Sequence, residues 1–483
     1  MANVYIESLR WLTPSNPFQA NPDPTLPTTI TYAFGGEGNY TVNDPESSGT
    51  SIDALGWSAS EREAAVKALL AWTSVANIRL SEVAAADGAT FTLLKTSETE
   101  MREYFSGERG VLAFSTLPFD YGPAYGLGPT DGYTPGIAVF NQDGYGWTSN
   151  QPGGYGYATL VHEIGHLLGL DHPFDEGGHY PGTSVPEPFF PGATGAFRTG
   201  DFGLNQGVFT AMTYNDGWSG EPSRNLVSGY QLGPGAFDIA AIQELYGRNW
   251  SHNAGDTTYT LPGSNTAGTG WLCIWDGSGA RDVIRAGAGS GACTIDLRDA
   301  PLTGPDAGGY VSWMSRVAGG FTIANGADIE DAVGGAGADA ITGNELANRL
   351  KGLGGNDTLR GVDGADVLCG GAGSDSLWGG QGDDDFVFAA LSDTGVGAKA
   401  RDVIRDFQHF HDDIDLRSID ANSNLGGDQD FRFVGASAFS RSAGELRFAG
   451  GLLSGDVNGD GKADLEISIL NAVLTRDDLI GAA

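Results

Sequence analysis

Between Thr159 and His172 the chain reads Thr159-Leu160-Val161-His162-Glu163-Ile164-Gly165-His166-Leu167-Leu168-Gly169-Leu170-Asp171-His172. This is H-E-x-x-H extended to H-E-x-x-H-x-x-G-x-x-H. Residues four apart share a helix face, so His162 and His166 present imidazole nitrogens to one ion. Glu163 sits one position on, within reach of a water activated by that ion without being a ligand. Gly169 suits the point where the helix stops and the chain reverses, because glycine takes positive φ without a Cβ clash. The reversal brings back His172 as a third nitrogen ligand. Three neutral imidazoles and one open position describe a catalytic zinc, whereas a structural zinc is closed by four protein ligands. The bland alternative is an amphipathic core helix with chance histidines. Three of the chain's seven histidines fall in this window at the motif's spacing, which favours zinc. His179 is assigned to a solvent-exposed loop, and His252, His409 and His411 show no partner pattern.

The elements that must position this run occupy residues 1–247, which read as an α+β catalytic domain. Thr28 to Phe34 alternates like a strand and ends in Gly35-Gly36. Ser58 and Glu61 form a capping box opening a helical pattern through Leu69, Leu70 and Trp72. Further strands are expected at Ile78–Val83, Thr90–Leu94 and Gly136–Asn141, with the zinc helix from about Tyr157 to Gly169. Glu176–Gly207 reads as an irregular loop, and Ala236–Tyr246 as a closing helix.

Length and composition bound the rest. At 483 residues the chain accommodates two or more domains, and no apolar run approaches a membrane span. The net charge of −35 argues against nucleic acid and anionic membranes as partners. It suits carboxylates awaiting a divalent cation, or an acidic surface in saline surroundings. Met1-Ala2-Asn3-Val4 has no basic n-region before an apolar stretch, so no cleaved N-terminal secretory signal is expected. The three cysteines build no disulfide framework. Cys273 and Cys293 would pair if they lay on adjacent strands, and otherwise are buried thiols.

Residues 248–483 carry short β-like runs separated by Gly, Asp and Asn. Within them, residues 334–387 form six nine-residue units: GGAGADAIT, GNELANRLK, GLGGNDTLR, GVDGADVLC, GGAGSDSLW and GGQGDDDFV. The template G-G-x-G-x-D-x-U-x, with U a large apolar residue, is that of a calcium-binding parallel β-helix repeat. Gly335, Gly337, Gly355, Gly364, Gly373 and Gly382 supply turns and free carbonyls. Asp339, Asp357, Asp366, Asp375 and Asp384 supply carboxylates, while Ile341, Leu350, Leu359, Leu368, Leu377 and Phe386 point into a narrow core. The second unit departs, with Leu346 for a glycine and Asn348 for the aspartate. A disordered Gly/Asp linker would not place an apolar residue every nine positions. The stacked carboxylates repel one another until several hard cations bridge successive turns, so folding of this half is expected to need calcium. Asp456, Asn458, Asp460 and Asp464 form a candidate calcium loop, although Ile467 occupies the position where a final acidic ligand is expected. A plain Gly/Asp turn explains that segment equally well.

The zinc run, the repeats and their order resemble the serralysin family of metzincin metalloproteases (peptidase family M10B), with its RTX β-roll. Phe209-Thr210-Ala211-Met212-Thr213-Tyr214, Ala236–Gly247 and Ala324–Glu330 extend the likeness over most of the chain. The resemblance implies a catalytic domain followed by an all-β parallel β-roll and β-sandwich domain. It implies one catalytic zinc and several structural calcium ions. It makes Met212 the methionine of a turn beneath the zinc, and Tyr214 a phenol that binds zinc at rest and then assists catalysis by hydrogen-bonding the oxyanion. It implies type I export from a Gram-negative cell through a C-terminal signal, for which Thr475–Ile480 has the acidic-then-apolar look. The protein would then be an extracellular monomer whose partners are protein and peptide substrates, the export apparatus and a small periplasmic inhibitor. Some relatives carry a short propeptide.

The reaction expected is hydrolysis of extended protein substrates by a zinc-activated water, with Glu163 as general base and Tyr214 and zinc stabilising the oxyanion. The substrate is expected to pair along an edge strand, for which Gly136–Asn141 is the candidate. A non-enzymatic calcium-dependent adhesin is the alternative from another class, and Glu163 with three ligands intact argues against it. Processing of one dedicated target is a third reading, equally compatible with the residues.

Overall fold

Thr28–Phe34 forms the first strand of a five-stranded sheet in the computed structural model. The structure describes residues 3–10, 26–42, 50–85, 88–116, 136–174, 189–219, 224–277, 281–289 and 291–482. In chain order the N-terminal elements are α1 (Val4–Ser8), β1 (Thr28–Phe34), β2 (Gly38–Val42), β3 (Thr50–Ala54), α2 (Ala59–Val75), β4 (Ile78–Glu82), β5 (Phe91–Thr96), α3 (Glu98–Tyr104), β6 (Ala113–Thr116), β7 (Gly136–Asn141), α4 (Tyr155–Leu167), β8 (Tyr230–Gln231) and α5 (Ala236–Tyr246).

The main sheet runs β4-β1-β5-β7-β6. β1 pairs in parallel with β4 and β5, and β5 with β7, because helical and loop crossovers return the chain to the same end. β6 closes the edge antiparallel to β7, with Ser115 opposite Ala138. Ser58 and Glu61 cap α2 reciprocally, as their spacing predicts. The buried face of α2, Ala65, Ala68 and Trp72, packs on α4, and Trp72 Nε1 donates to Val161 O at 3.1 Å. α4 starts at Tyr155, two residues earlier than expected. Its N-cap is Gly154, which offers no side-chain acceptor and leaves the start without a sequence signal.

The C-terminal half is strand-rich: among the described residues its strands form an eight-stranded sheet and, together with β8, a thirteen-stranded one. Successive half-turns of the repeats alternate between them. Ala340–Thr342, Thr358–Asp363, Ser376–Gln381 and Asp402–Ile404 lie side by side in one sheet. Arg349–Gly354, Val367–Ala372, Asp385–Val387 and Asp413–Asp415 lie in the other. All pair in parallel, so Ile341, Leu359, Leu377 and Ile404 stack in register, as do Leu350, Leu368, Phe386 and Ile414. Every one of these eight side chains is fully buried. At about 2 kcal/mol for each, this stripe is the apolar driving force of a unit too thin to have another core.

Two details exceed what the nine-residue template foretold. Leu353 and Val362 stand where the fifth and sixth units have glycine, and both adopt positive φ, 76° and 96°, alongside Gly371 and Gly380 at 91° and 108°. β8 pairs in parallel with Gly270–Ile274, so a strand preceding α5 joins the larger C-terminal sheet. Cys273 and Cys293 lie on strands separated by two others, and all three cysteines are free thiols. The end of the chain is built in, too. Leu479–Ile480 pairs with Asp413–Asp415, and the buried Asp478 accepts hydrogen bonds from Phe410 N and Thr475 N and pairs with His409.

Candidate active site

α4 carries His162 and His166 one turn apart, and Gly169, at φ 98°, reverses the chain to return His172. The three Nε2 atoms converge. His162 to His166 is 3.2 Å, and each lies 3.1 Å from His172. Nitrogens about 2.0–2.1 Å from a tetrahedral zinc stand about 3.3 Å apart, so the triangle has the size of a zinc face. Three lone pairs this close repel unless a cation sits among them. Burial, with His172 and His162 alongside, pushes the His166 pKa well down and keeps its ring a neutral ligand. The triad fits zinc.

The rings are oriented from behind. His162 Nδ1 lies 2.8 Å from Ala211 O, and His166 Nδ1 lies 2.8 Å from Leu170 O. Donation to a carbonyl from Nδ1 leaves Nε2 as the lone-pair nitrogen, the tautomer a metal needs. Met212, fully buried, lies under Gly165; a Cβ there would come 2.5 Å from its sulfur and 2.9 Å from Trp72. That close approach is why a glycine sits between the two helical ligands. Asp238 on α5 holds the Met212 turn. Its carboxylate accepts from Thr210 Oγ1 at 2.6 Å, Ala211 N at 2.5 Å and Gly235 N at 2.7 Å. The N-terminal segment braces the other side, with Asp171 N donating to Leu9 O at 3.0 Å and Arg10 pairing with Glu244 at 2.9 Å. Asp238 and Leu9 act through backbone atoms and other residues, which no motif spacing announces.

Glu163 is buried beside the triad, and Ser115 Oγ on β6 donates to its Oε2 at 2.6 Å. Burial pushes the Glu163 pKa up to about 7, against the lowering pull of the Ser115 hydrogen bond. The Tyr214 ring lies 4.9 Å from that of His172 and 5.6 Å from that of His162, and is 45% exposed. His162, Glu163 and Tyr214 open into a cleft of about 760 Å³, bounded by Val111, Leu112 and Ala113 leading into β6. The expected edge strand is therefore corrected. β7 is paired on both sides, with β5 and β6, and has no free edge; β6 has one among the described residues. The apolar pattern of Gly136–Asn141 reflects burial between neighbours rather than exposure at an edge. Farther along the cleft, burial raises the Asp216 carboxyl to about 6, opposed by Arg224. His179 lies outside the described residues, as does 176–188 of the expected loop.

The repeat aspartates form two ladders. Oδ1 of Asp339, Asp357, Asp375 and Asp402 accepts from the backbone N of Cys293, Asp339, Asp357 and Asp375 in turn. The other ladder joins Asn348, Asp366, Asp384 and Asp412 in the same way. Oδ2 of Asp357, Asp366, Asp375, Asp384 and Asp402 is buried without a hydrogen-bond partner. A Cβ at Gly352, Gly361, Gly370 or Gly379 would collide with the neighbouring Oδ2. Gly355, Gly364, Gly373 and Gly382, all at positive φ, stack against the carbonyls of Gly337, Leu346, Gly355 and Gly364. In the first unit Asp339 Oδ2 instead accepts from Gly335 N at 2.5 Å, and in the second Asn348 donates to Glu330 O. Asp402 and Asp412 escaped the repeat reading because their partners lie 27 and 28 residues upstream rather than 18. Asp456 and Asp464 accept backbone hydrogen bonds from Gly459, Gly461 and Val457, and Asn458 and Asp460 accept from residues two ahead. These bonds form the turn between Leu452–Asp456 and Leu465–Ile469.

The Matrixin family model matches residues 51–179, and the model described as Peptidase M10 serralysin C terminal matches residues 238–481. Metallopeptidase AprA of Pseudomonas marginalis is 35% identical over 444 residues, spanning 87% of this chain and 80% of the relative. Serralysin of Proteus mirabilis is 37% identical over 372 residues, covering 74% and 69%. Serralysin G of Dickeya chrysanthemi is 34% identical over 438 residues, covering 86% and 78%. With a zinc-sized histidine triad on a matrixin-type α+β unit and a strand-rich C-terminal half, the chain belongs to the serralysin family of zinc metallopeptidases.

Proposed function

We propose that this enzyme is an exported, calcium-dependent endopeptidase that cleaves extended segments of protein substrates, with Glu163 as general base. The observation that carries the reading is the placement of Glu163 Oε2, buried beside three converging Nε2 atoms at the mouth of the cleft. Zinc on His162, His166 and His172 supplies a Lewis acid that acidifies water and polarises a carbonyl. Glu163 takes the proton of the attacking water and passes it to the leaving amine. Ser115 fixes which carboxylate oxygen faces the reaction. The Tyr214 phenol donates to the developing oxyanion. The peptide pairs its backbone with the free edge of β6, which favours unfolded or loop segments and tolerates many side chains.

The roll supports calcium dependence. Buried carboxylate oxygens without hydrogen-bond donors are costly, and a row of five is supported by bridging hard cations. Gly335, Gly337 and Asp339 belong to a turn whose carboxylate is already satisfied by N–H groups, so the later turns are the stronger candidates. The Asp456–Asp464 turn stays the weaker one. Export through a C-terminal signal requires passage before the roll closes, since Leu479 and Asp478 are buried once it folds.

Removal of zinc with a chelator, then readdition, tests the reading in a gelatin gel and by mass spectrometry of products from a denatured protein mixture. Cleavage that disappears and returns with zinc supports it; cleavage indifferent to zinc removes it.

A further inference from the structure

The cleft that holds His162 and Glu163 is also lined by Asp216, Arg224, Gln231, Trp218 and Tyr155. Its polar groups are unevenly matched. The Asp216 side chain is 22% exposed, and its carboxylate accepts no hydrogen bond among the described residues. The cation nearest to it among those residues is Arg224, whose Nη2 stays 3.9 Å away, beyond hydrogen-bond distance. Arg224 is instead drawn over the Tyr230 ring, 5.6 Å from its centroid, with much of its side chain in solvent. Gln231 is 3% exposed, and its Oε1 has no hydrogen-bond partner among the described residues. Among the described residues, the cleft therefore contains one carboxylate and one amide oxygen that lack hydrogen-bond donors, and Tyr155 and Trp218 line it as well.

A ligand that completes such a pocket brings positive charge and several N–H groups on an apolar stem. An apolar side chain would desolvate Asp216 without compensation, and an acidic one would repel it. A guanidinium supplies five donors in a planar fork and stacks on aromatic rings. The exposed, long Arg224 contact is weak enough to yield to it. We propose that Asp216 makes the cleft selective for a cationic side chain, arginine foremost, at one fixed position flanking the cleaved bond. This rests on the peptidase reading above.

The test uses the full chain loaded with zinc and calcium. Cleavage products of a denatured protein mixture locate the selected position. Two quenched fluorescent peptides are then compared, identical except for arginine or citrulline there, since citrulline keeps the shape without the charge. Expected are enrichment of Arg and Lys at one position, and a kcat/KM about tenfold higher for arginine than for citrulline. Asp216→Asn should bring that ratio to about one, and Arg224→Ala, which removes the competing cation, should raise it. Cleavage without basic enrichment overturns the proposal, as does a ratio unchanged in Asp216→Asn. If Asp216→Asn fails to fold, an unchanged or lower ratio in Arg224→Ala overturns it. No cleavage by the zinc-loaded wild type would instead remove the peptidase reading, and the proposal with it.

Discussion

His162 Nδ1 and the carbonyl of Ala211 lie 2.8 Å apart, which ties a zinc ligand on α4 to the residue preceding Met212. The same peptide group is held from the other side, where Ala211 N donates to Asp238. Ligand orientation thus depends on a carboxylate on α5 that never touches the metal.

Asp238→Ala should therefore loosen zinc. Three donors, Thr210 Oγ1, Ala211 N and Gly235 N, lose their acceptor in a buried site. Loss of such support costs about 10- to 100-fold in metal affinity, and the unpaired buried donors destabilise the fold by about 1–3 kcal/mol. Competition with a chromogenic chelator reads the first effect and thermal unfolding the second. Wild-type zinc affinity in Asp238→Ala would contradict the link.

Ser115→Ala should move the acidic limb of the pH profile of kcat/KM to higher pH. The hydrogen bond from Ser115 favours the charged form of Glu163, so its loss raises the carboxyl pKa from a value already lifted by burial. A base must be ionised, so the variant loses more at low pH than at high pH. About a threefold to tenfold loss near pH 6, shrinking above pH 8, corresponds to a shift of about half to one pK unit. A uniform loss at all pH values would assign Ser115 a purely steric role.

Without calcium, the roll should weaken as pH rises. Burial and neighbouring carboxylates raise Asp357 and Asp366 to about 7, Asp375 to about 6, Asp402 to about 8 and Asp412 to about 7. Their unfolded value is about 4. Groups whose folded pKa is raised stabilise the fold fully below the unfolded value and lose that contribution as pH climbs through the folded one. In a calcium chelator, Tm should fall between about pH 5 and about pH 8. Excess calcium should reverse the fall, by about 4 kcal/mol at a thousandfold excess over Kd. A Tm flat across that range in chelator would contradict the account of the ladders.

Val362→Gly should stabilise the roll. Val362 is β-branched at φ 96°, where Gly380 in the next turn of the same sheet takes 108°. Relief of such a conformation is worth about 1 kcal/mol after the entropic cost of glycine is deducted. Calcium-loaded thermal unfolding checks it, and a lower Tm would show that the valine side chain outweighs its backbone.

Local chemistry was legible where spacing encodes it. The triad and Gly169 sit where a helix period and one reversal put them, and the roll core follows from an apolar residue every nine positions. Ser58 and Glu61 announced α2 because the cap is made by side chains, whereas Gly154 caps α4 without one. Relations between distant segments were not legible. Whether β7 or β6 lies at the edge depends on which strands pair, not on the pattern within either. Ser115 and Asp238 reach the site from 48 and 27 residues away, through a tertiary fold that no single residue type reports. Leu353 and Val362 at left-handed positions show the roll imposing its backbone on residues that resist it.

The most direct measurement compares Glu163→Gln with the wild type for zinc content and for kcat/KM on a denatured protein. With three imidazoles as ligands and Glu163 as the base, zinc stays at one per chain while kcat/KM falls by about a thousandfold or more. Turnover within about tenfold of wild type, with zinc retained, would contradict the account.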